Sequence, residues 1–147
     1  MRVFVSVLLC LVLTGCNSVY YKPHTLDRGS MVYVQRGGYS MKRSIKQAMT
    51  ERGYNVHVGT LRNEKDSDDL DIQTFDVPRN AKYTVYVKER TEFLRPIWCA
   101  FNGFWWWNFN VSITEKSTGH EIMSWRGRGC QNSSIRKLNS ILNELEK

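Results

Sequence analysis

Three histidines and one run of acidic side chains are the residues that could support catalysis or hold a metal ion. His24, His57 and His120 stand in no nucleophile-elbow or metal-binding motif. Residues 66–71 read Asp-Ser-Asp-Asp-Leu-Asp, but they lack the loop glycine and the closing bidentate glutamate of a calcium-binding EF-hand. We therefore expect a solvated loop here and predict no catalytic site, no metal site and no cofactor. A hydrolase, with catalytic residues that are far apart in the sequence and come together only in the folded chain, ranks third after the two hypotheses given below.

The first fifteen residues have the organisation of a secretory signal peptide. Arg2 supplies a short positive segment, and residues 3–13 form an apolar run of 11 residues. A helix needs ~20 apolar residues to cross a bilayer, so this run is too short to span one. We predict that residues 1–15 are a signal peptide that is removed from the mature protein.

The four residues after that run, Leu13-Thr14-Gly15-Cys16, resemble the lipobox of bacterial lipoproteins. The resemblance implies that the Cys16 thiolate accepts a diacylglycerol, that the chain is cleaved before Cys16, and that the new amine is acylated. Two or more acyl chains give a stable membrane anchor. Asn17 stands where an Asp would signal retention at the inner membrane. The resemblance therefore implies the periplasmic side of the outer membrane, with the inner membrane as the alternative.

Two cysteines remain in the mature chain, Cys99 and Cys130, because Cys10 leaves with the signal peptide and Cys16 carries lipid. An even pair in an oxidising compartment predicts a disulfide bond. No histidine or further cysteine stands at ligand spacing beside either residue, which disfavours a metal site. Two free, buried thiols are the alternative.

The charge of the chain is unevenly distributed. The formal net charge is +7, and it becomes +6 (20 − 14) once Arg2 is removed with the signal peptide. Residues 62–80 carry six carboxylates against three basic side chains, a net charge of −3. A basic remainder tethered at a membrane favours anionic lipid headgroups or acidic envelope polymers as partners. Nucleic acid is not expected in that compartment.

Hydrophobic spacing predicts the elements that must position these residues. Met41, Ile45, Ala48 and Met49 share one helical face, which predicts a helix over 41–52 capped by Ser40. A stripe of isoleucine and leucine residues predicts a second helix that begins near Ser133 or Ser134. Alternating patterns predict strands over 31–36, 54–61, 81–93, 104–114 and 120–126, and a short edge strand over 72–77.

The order of these elements is β-α-β, then an antiparallel β-meander, then α. We predict an α+β domain over 31–147: one twisted, mostly antiparallel sheet with both helices on one face. Residues 16–30 show no periodicity and are predicted to be the lipidated N-terminus and a tether.

Three segments also resemble those of small proteobacterial envelope lipoproteins. They are residues 44–54, which run from a helix into a Gly-Tyr strand, residues 82–87, and residues 118–127. The domain of these proteins is similar to that of the penicillin-binding-protein activator lipoproteins and to the N-terminal domain of the translocation protein TolB. The resemblance implies the same architecture over 31–147. The chain lacks the activators' long disordered tether, which argues against reach through the cell-wall mesh.

Residues 98–109 contain seven aromatic side chains. Strand alternation places Trp105, Trp107 and Phe109 on the core face of a strand and turns Phe104 and Trp106 to the other face. An exposed tryptophan there would suit a partner contact or a membrane interface, and its alternative role is to cover the sheet or pack under residues 95–103. The predicted contact residues for a partner or ligand are Phe104, Trp106, Arg126 and Arg128.

Two functional hypotheses follow from these patterns. The first is a non-catalytic, lipid-anchored envelope lipoprotein that binds a protein partner at the outer membrane. The second is a protein that binds an envelope ligand, a glycan or a lipid, through exposed aromatic and basic residues.

Overall fold

The structure is a computed structural model that describes residues 17–35, 41–59, 61–62, 74–75, 77–92 and 96–146. The predicted signal peptide, the lipidation site at Cys16, the helix cap at Ser40 and the acidic run at 66–71 lie outside the described residues.

The described residues form eight strands, two α-helices and one short 3₁₀ helix at Ile97–Phe101. The helices are α1 (Met41–Glu51) and α2 (Gln131–Glu146). The strands are β1 (Ser18–Tyr21), β2 (Met31–Val34), β3 (Asn55–Val58), β4 (Leu61–Arg62), β5 (Thr74–Phe75), β6 (Tyr83–Thr91), β7 (Trp106–Glu115) and β8 (Glu121–Cys130).

Six of these strands form one mixed sheet in the order β1-β8-β7-β6-β2-β3. The neighbouring strands β1, β8, β7 and β6 pair antiparallel. Strand β2 lies parallel to both of its neighbours, β6 and β3. The β2-α1-β3 segment is therefore a β-α-β unit joined to an antiparallel meander. The short strand expected over 72–77 is β5, which pairs with β4 in a separate two-stranded sheet. The predicted α+β class with one principal sheet is confirmed.

Both helices pack on one face of the sheet, as predicted. Alternate residues of β7 point into this core and are at most 3% exposed, among them Trp107 and Ile113. The buried stripes of α1 and α2 join the same hydrophobic cluster. Phe109 packs edge-on against Trp125 with ring centroids 4.4 Å apart, an arrangement that the ring quadrupoles favour.

A carboxylate from the sheet holds the start of α1. The backbone N–H of Met41 donates a hydrogen bond to Glu89 Oε2 of β6 at 2.8 Å. The first N–H groups of a helix have no partner within the helix, and a negative charge there is favourable. At the other end of α1, Gly53 has a φ of +86° and the backbone N–H of Tyr54 bonds the carbonyl of Met49. Gly53 thus supplies the left-handed conformation with which helices commonly end.

The tether expected over residues 16–30 is instead partly built into the domain. Residues Ser18–Tyr21 form β1, which pairs with β8 at the edge of the sheet. Leu26 is 5% exposed, and its backbone N–H and that of Thr25 donate to the carbonyl of Leu145. Four strand residues are too few to show a period, and their stability comes from pairing with β8, which local sequence does not reveal.

Candidate functional site

The aromatic loop, residues 96–105, presents the largest exposed apolar side chains of the described chain. It contains the 3₁₀ helix and ends where β7 begins. The exposed fractions are 87% for Ile97, 64% for Trp98, 93% for Phe101, 44% for Phe104 and 51% for Trp105. Contiguous exposed apolar side chains on a small protein mark a surface that meets a partner or a membrane.

Three links fix the aromatic loop to the end of β8 and the start of α2. Cys99 and Cys130 form a disulfide with their Cα atoms 5.3 Å apart. The backbone N–H of Gln131 donates to the Trp105 carbonyl at 2.9 Å, and that of Asn132 donates to the Asn102 carbonyl at 3.2 Å. These bonds also provide partners for first-turn N–H groups of α2. They account for a helix that begins at Gln131, earlier than the predicted start near Ser133 or Ser134.

The backbone turns sharply between the aromatic loop and β7. Gly103 has a φ of +89° and Phe104 a φ of +71°. A Cβ atom on Gly103 would lie 2.6 Å from Asn132 Oδ1 and 2.9 Å from Gln131 Cβ, an atom fixed to the α2 backbone, so the turn needs glycine for both its conformation and its space. Strand alternation therefore cannot be extended back through Trp105. The prediction that Trp105 belongs to the core is wrong, because this residue precedes β7 and is 51% exposed.

Asn17 and Ser18, which follow the predicted lipidation site, lie at the end of the sheet that carries the aromatic loop. Ser18 is paired with Arg126, and Asn17 lies against Gly127. From Arg126, β8 runs four more residues to Cys130, roughly 13 Å at ~3.3 Å per residue. Asn17 is thus on the same side of the domain as the disulfide that holds the aromatic loop.

Glu92 joins two of the predicted contact residues, Trp106 and Arg128. Trp106 Nε1 donates to Glu92 Oε2 at 3.0 Å, and Asn108 Nδ2 donates to Glu92 Oε1 at 3.0 Å. Arg128 Nε lies 3.6 Å from the same Oε1 atom. Sequence reasoning missed Glu92, since nothing in its neighbourhood indicates that the end of β6 lies beside β7 and β8. Trp106 is half-buried on the polar side of β7, as alternation predicted.

Arg126 lies apart from Trp106, in a shallow cavity on the face of the sheet opposite the helices. We call this surface the open face; it consists of the outward side chains of β1, β8, β7 and β6. The cavity has a volume of about 360 Å³, near the lower end of ligand pockets. Its lining is polar apart from one aromatic ring: Ser18, Tyr20, Asn110, Glu121, Ser124 and Arg126.

The groups whose pKa values shift lie away from both surfaces. A hydrogen bond from Lys82, together with its charge, lowers the pKa of Asp27, and the same hydrogen bond raises the pKa of Lys82. Burial, followed by the neighbouring Glu146 carboxylate, raises the pKa of Tyr54. An ion pair and a buried phenol account for these shifts, so they do not indicate a catalytic group.

In the part of the chain that the structure describes, no cluster of three or more His, Cys, Asp or Glu side chains is arranged to hold a metal ion. Nor does any helix among the described residues have the length and apolar character needed to span a membrane.

The chain is similar in fold to PelC dodecamers from Paraburkholderia phytofirmans. One PelC structure, of a variant with a single substitution, has a TM-score of 0.54 and 12% identity, and the match covers 90% of this chain and 98% of that one. A second has a TM-score of 0.53 and 11% identity over the same shares of the two chains. No protein-family model matches the sequence, and no curated protein does. At these identities the likeness establishes the fold alone.

Proposed function

We propose that this chain is a non-catalytic, lipid-anchored envelope protein that sits on the periplasmic side of the outer membrane and binds a protein partner there. The observation that carries the proposal is that Asn17 and Ser18, which follow the predicted lipidation site, lie at the same end of the sheet as the aromatic loop. Lipid on Cys16, one residue before Asn17, would hold that end against the bilayer.

The aromatic loop has the chemistry of a membrane contact. Tryptophan combines an apolar ring with a polar N–H, and tryptophan side chains concentrate at the membrane–water interface. Trp98 and Trp105 are both more than half exposed, and Ile97 and Phe101 add apolar surface beside them. A second apolar contact next to the acyl chains would fix the orientation of the domain as well as its attachment.

Further copies of this chain are the protein partner that we propose first. The edges of the six-stranded sheet are β1 and β3, and an edge strand presents backbone groups that can pair with another chain. A contact between unlike edges is heterologous, and it closes into a ring if the rotation permits. The dodecamers formed by PelC, whose fold is similar, support this choice. An outer-membrane protein of different sequence is the alternative partner.

Tryptophan quenching by brominated lipids tests the membrane contact. The processed protein is reconstituted into vesicles that contain lipids brominated on the acyl chain, and its fluorescence is compared with that in unbrominated vesicles. We expect strong quenching in the wild type and little in a Trp98→Phe/Trp105→Phe variant. Trp106→Phe is the matched control, because Trp106 is half-buried and bonded to Glu92, and it should leave quenching unchanged. If the vesicle-bound protein shows the same tryptophan fluorescence in brominated and unbrominated vesicles, the proposed orientation is contradicted.

Native mass spectrometry of the processed protein in detergent tests the partner. We expect a closed oligomer in the wild type and dissociation when two exposed positions of β3 receive charge, Asn55→Lys/His57→Lys. The control carries the same two charges on exposed positions of α1, Gln47→Lys/Thr50→Lys. A monomeric wild-type protein would overturn self-association, and the partner would then be an outer-membrane protein of different sequence.

A further inference from the structure

We infer that the open face, centred on the cavity at Arg126 and Tyr20, binds an acidic saccharide. The inference needs neither the membrane contact nor self-association. Pairing through the backbone edge of β1 would leave its outward side chains, Ser18 and Tyr20, on the open face.

Strand register brings the polar groups of the open face into rows that cross the sheet. One row contains Ser18, Arg126, Asn110 and Lys88, which lie side by side on β1, β8, β7 and β6. Adjacent strands are ~4.8 Å apart, so Arg126 and Lys88 are roughly 10 Å apart in backbone position. This spacing offers two cationic groups to one extended ligand.

The next row is flanked by two exposed tyrosines. It contains Tyr20, Ser124, Ser112 and Tyr86 on the same four strands, and the exposed fractions of the tyrosines are 50% and 52%. Three strand spacings separate Tyr20 from Tyr86, roughly 14 Å. An aromatic ring exposed on a flat polar surface can stack on the apolar face of a sugar ring, while its hydroxyl remains available for hydrogen bonding.

Several hydrogen-bonding groups of the cavity are available to a ligand. Among the described residues, the side chains of Ser18, Asn110 and Ser124 form no hydrogen bond with another protein group. Hydroxyl and amide groups can donate and accept, which suits a ligand rich in hydroxyls. The near absence of aliphatic side chains from the lining disfavours a lipid chain, and the exposed apolar side chains lie instead on the aromatic loop.

The charge of the open face selects an acidic form of such a ligand. It carries four basic side chains, Lys88, Arg90, Arg126 and Arg128, against two carboxylates, Glu92 and Glu121. Arg128 is paired with Glu92, and the Glu121 carboxylate accepts a hydrogen bond from Ser112. Within the described chain, Lys88, Arg90 and Arg126 form no ion pair. An arginine fork matches a carboxylate in two parallel hydrogen bonds, so a uronic acid or another carboxylate-bearing sugar fits the site.

Calorimetric titration of the full processed protein in a non-ionic detergent tests the inference. The probe is a polygalacturonate oligosaccharide, and its fully methyl-esterified form is the matched neutral ligand. We expect the acidic form to bind at least about tenfold more tightly, and Arg126→Gln to remove about tenfold of the affinity, the loss of a charge-assisted hydrogen bond. Tyr20→Ala should weaken binding similarly, whereas Tyr20→Phe keeps the ring and should retain most of the affinity.

Arg43→Gln is the matched control, since Arg43 is an exposed cation on α1, on the other side of the sheet. This variant should bind within about twofold of the wild type, because exposed charges beyond ~10 Å are largely screened. Equal losses of affinity in Arg43→Gln and Arg126→Gln would mean that only the net charge of the protein matters. That result would overturn a site on the open face. The inference of an acidic saccharide ligand would be overturned by an absence of binding. It would also be overturned if the methyl ester or polyglutamate bound as tightly as the acidic oligosaccharide. Arg126 is exposed, so its variant should fold even if Tyr20→Ala disturbs β1.

Discussion

Trp106 Nε1 donates a hydrogen bond to Glu92 Oε2 at 3.0 Å, which ties the first residue of β7 to the chain segment that follows β6. The next residue, Trp107, points to the opposite face and is 3% exposed in the core. Two adjacent tryptophans thus have different roles. Trp107 packs in the core, and Trp106 holds the Glu92 carboxylate on the open face.

Trp107→Ala should lower the free energy of unfolding by about 3–5 kcal/mol, because it leaves a large cavity in the core. Trp106→Phe keeps most of the ring but removes the hydrogen bond to Glu92, so the loss should be about 1 kcal/mol. Urea denaturation of both variants measures the difference. Equal losses would mean that the sheet is buried on both faces, contrary to the exposure of its outward side chains.

A variant that lacks the disulfide, Cys99→Ser/Cys130→Ser, should lose about 3–4 kcal/mol of stability, since the closed loop joins cysteines 31 residues apart. Non-reducing electrophoresis with a thiol-alkylating reagent checks the bond in protein taken from the periplasm without reductant. Alkylation of both thiols in that sample would show that the cysteines are free. Thermal unfolding with and without reductant then measures how far the bond stabilises the domain.

Gly103→Ala should destabilise the protein more than Gly119→Ala does. Both glycines have a positive φ, +89° and +70°, so both alanines carry the backbone strain of about 1 kcal/mol or more. At Gly103 the new Cβ would also meet Asn132 Oδ1 at 2.6 Å and Gln131 Cβ at 2.9 Å, whereas at Gly119 nothing lies within 4 Å. Thermal unfolding of the two variants should therefore rank them. The opposite ranking would mean that the start of α2 shifts without cost.

Asp27 should contribute a small, pH-dependent stabilisation. Lys82 lowers its pKa in the folded state, through a hydrogen bond and then through its charge. The contribution is therefore present above the unfolded-state pKa near 3.8 and is lost as the pH falls through the lower folded-state value. In acid titrations followed by circular dichroism, Asp27→Asn should remove this component. An unchanged difference between wild type and variant across that range would show that the ion pair contributes nothing.

Cys16→Ser should leave an unprocessed or soluble precursor, because serine lacks the thiolate to which the lipid is attached. Labelling cells with an alkyne fatty acid, followed by fractionation, measures both outcomes. Cys99→Ser is the control, since this cysteine belongs to the disulfide and should not change the label. Equal labelling of Cys16→Ser and wild type would exclude lipidation at this position.

The sequence by itself determined the class of fold and most of its elements. The helix over Met41–Glu51 follows from four apolar residues on one face and a glycine at its end, signals that lie within a dozen residues. The long strands β6 and β7 follow from sustained alternation, whereas the strand predicted over 120–126 extends in the structure to Cys130 as β8. Such patterns are visible without the fold, because each element must bury one side.

Only the tertiary structure decided where short or irregular segments belong. Ser18–Tyr21 becomes a strand because β8 offers a partner, and Trp105 leaves the core because the backbone at Gly103 and Phe104 turns away from the strand direction. Glu92 bonds Trp106, although 14 residues separate them, because pairing of β6 with β7 brings the ends of the two strands together. Period-two and period-3.6 patterns report burial along one element. They carry no information about which distant strand pairs with an element or which distant carboxylate bonds to it. The contact surfaces of this protein are therefore defined only in the folded chain.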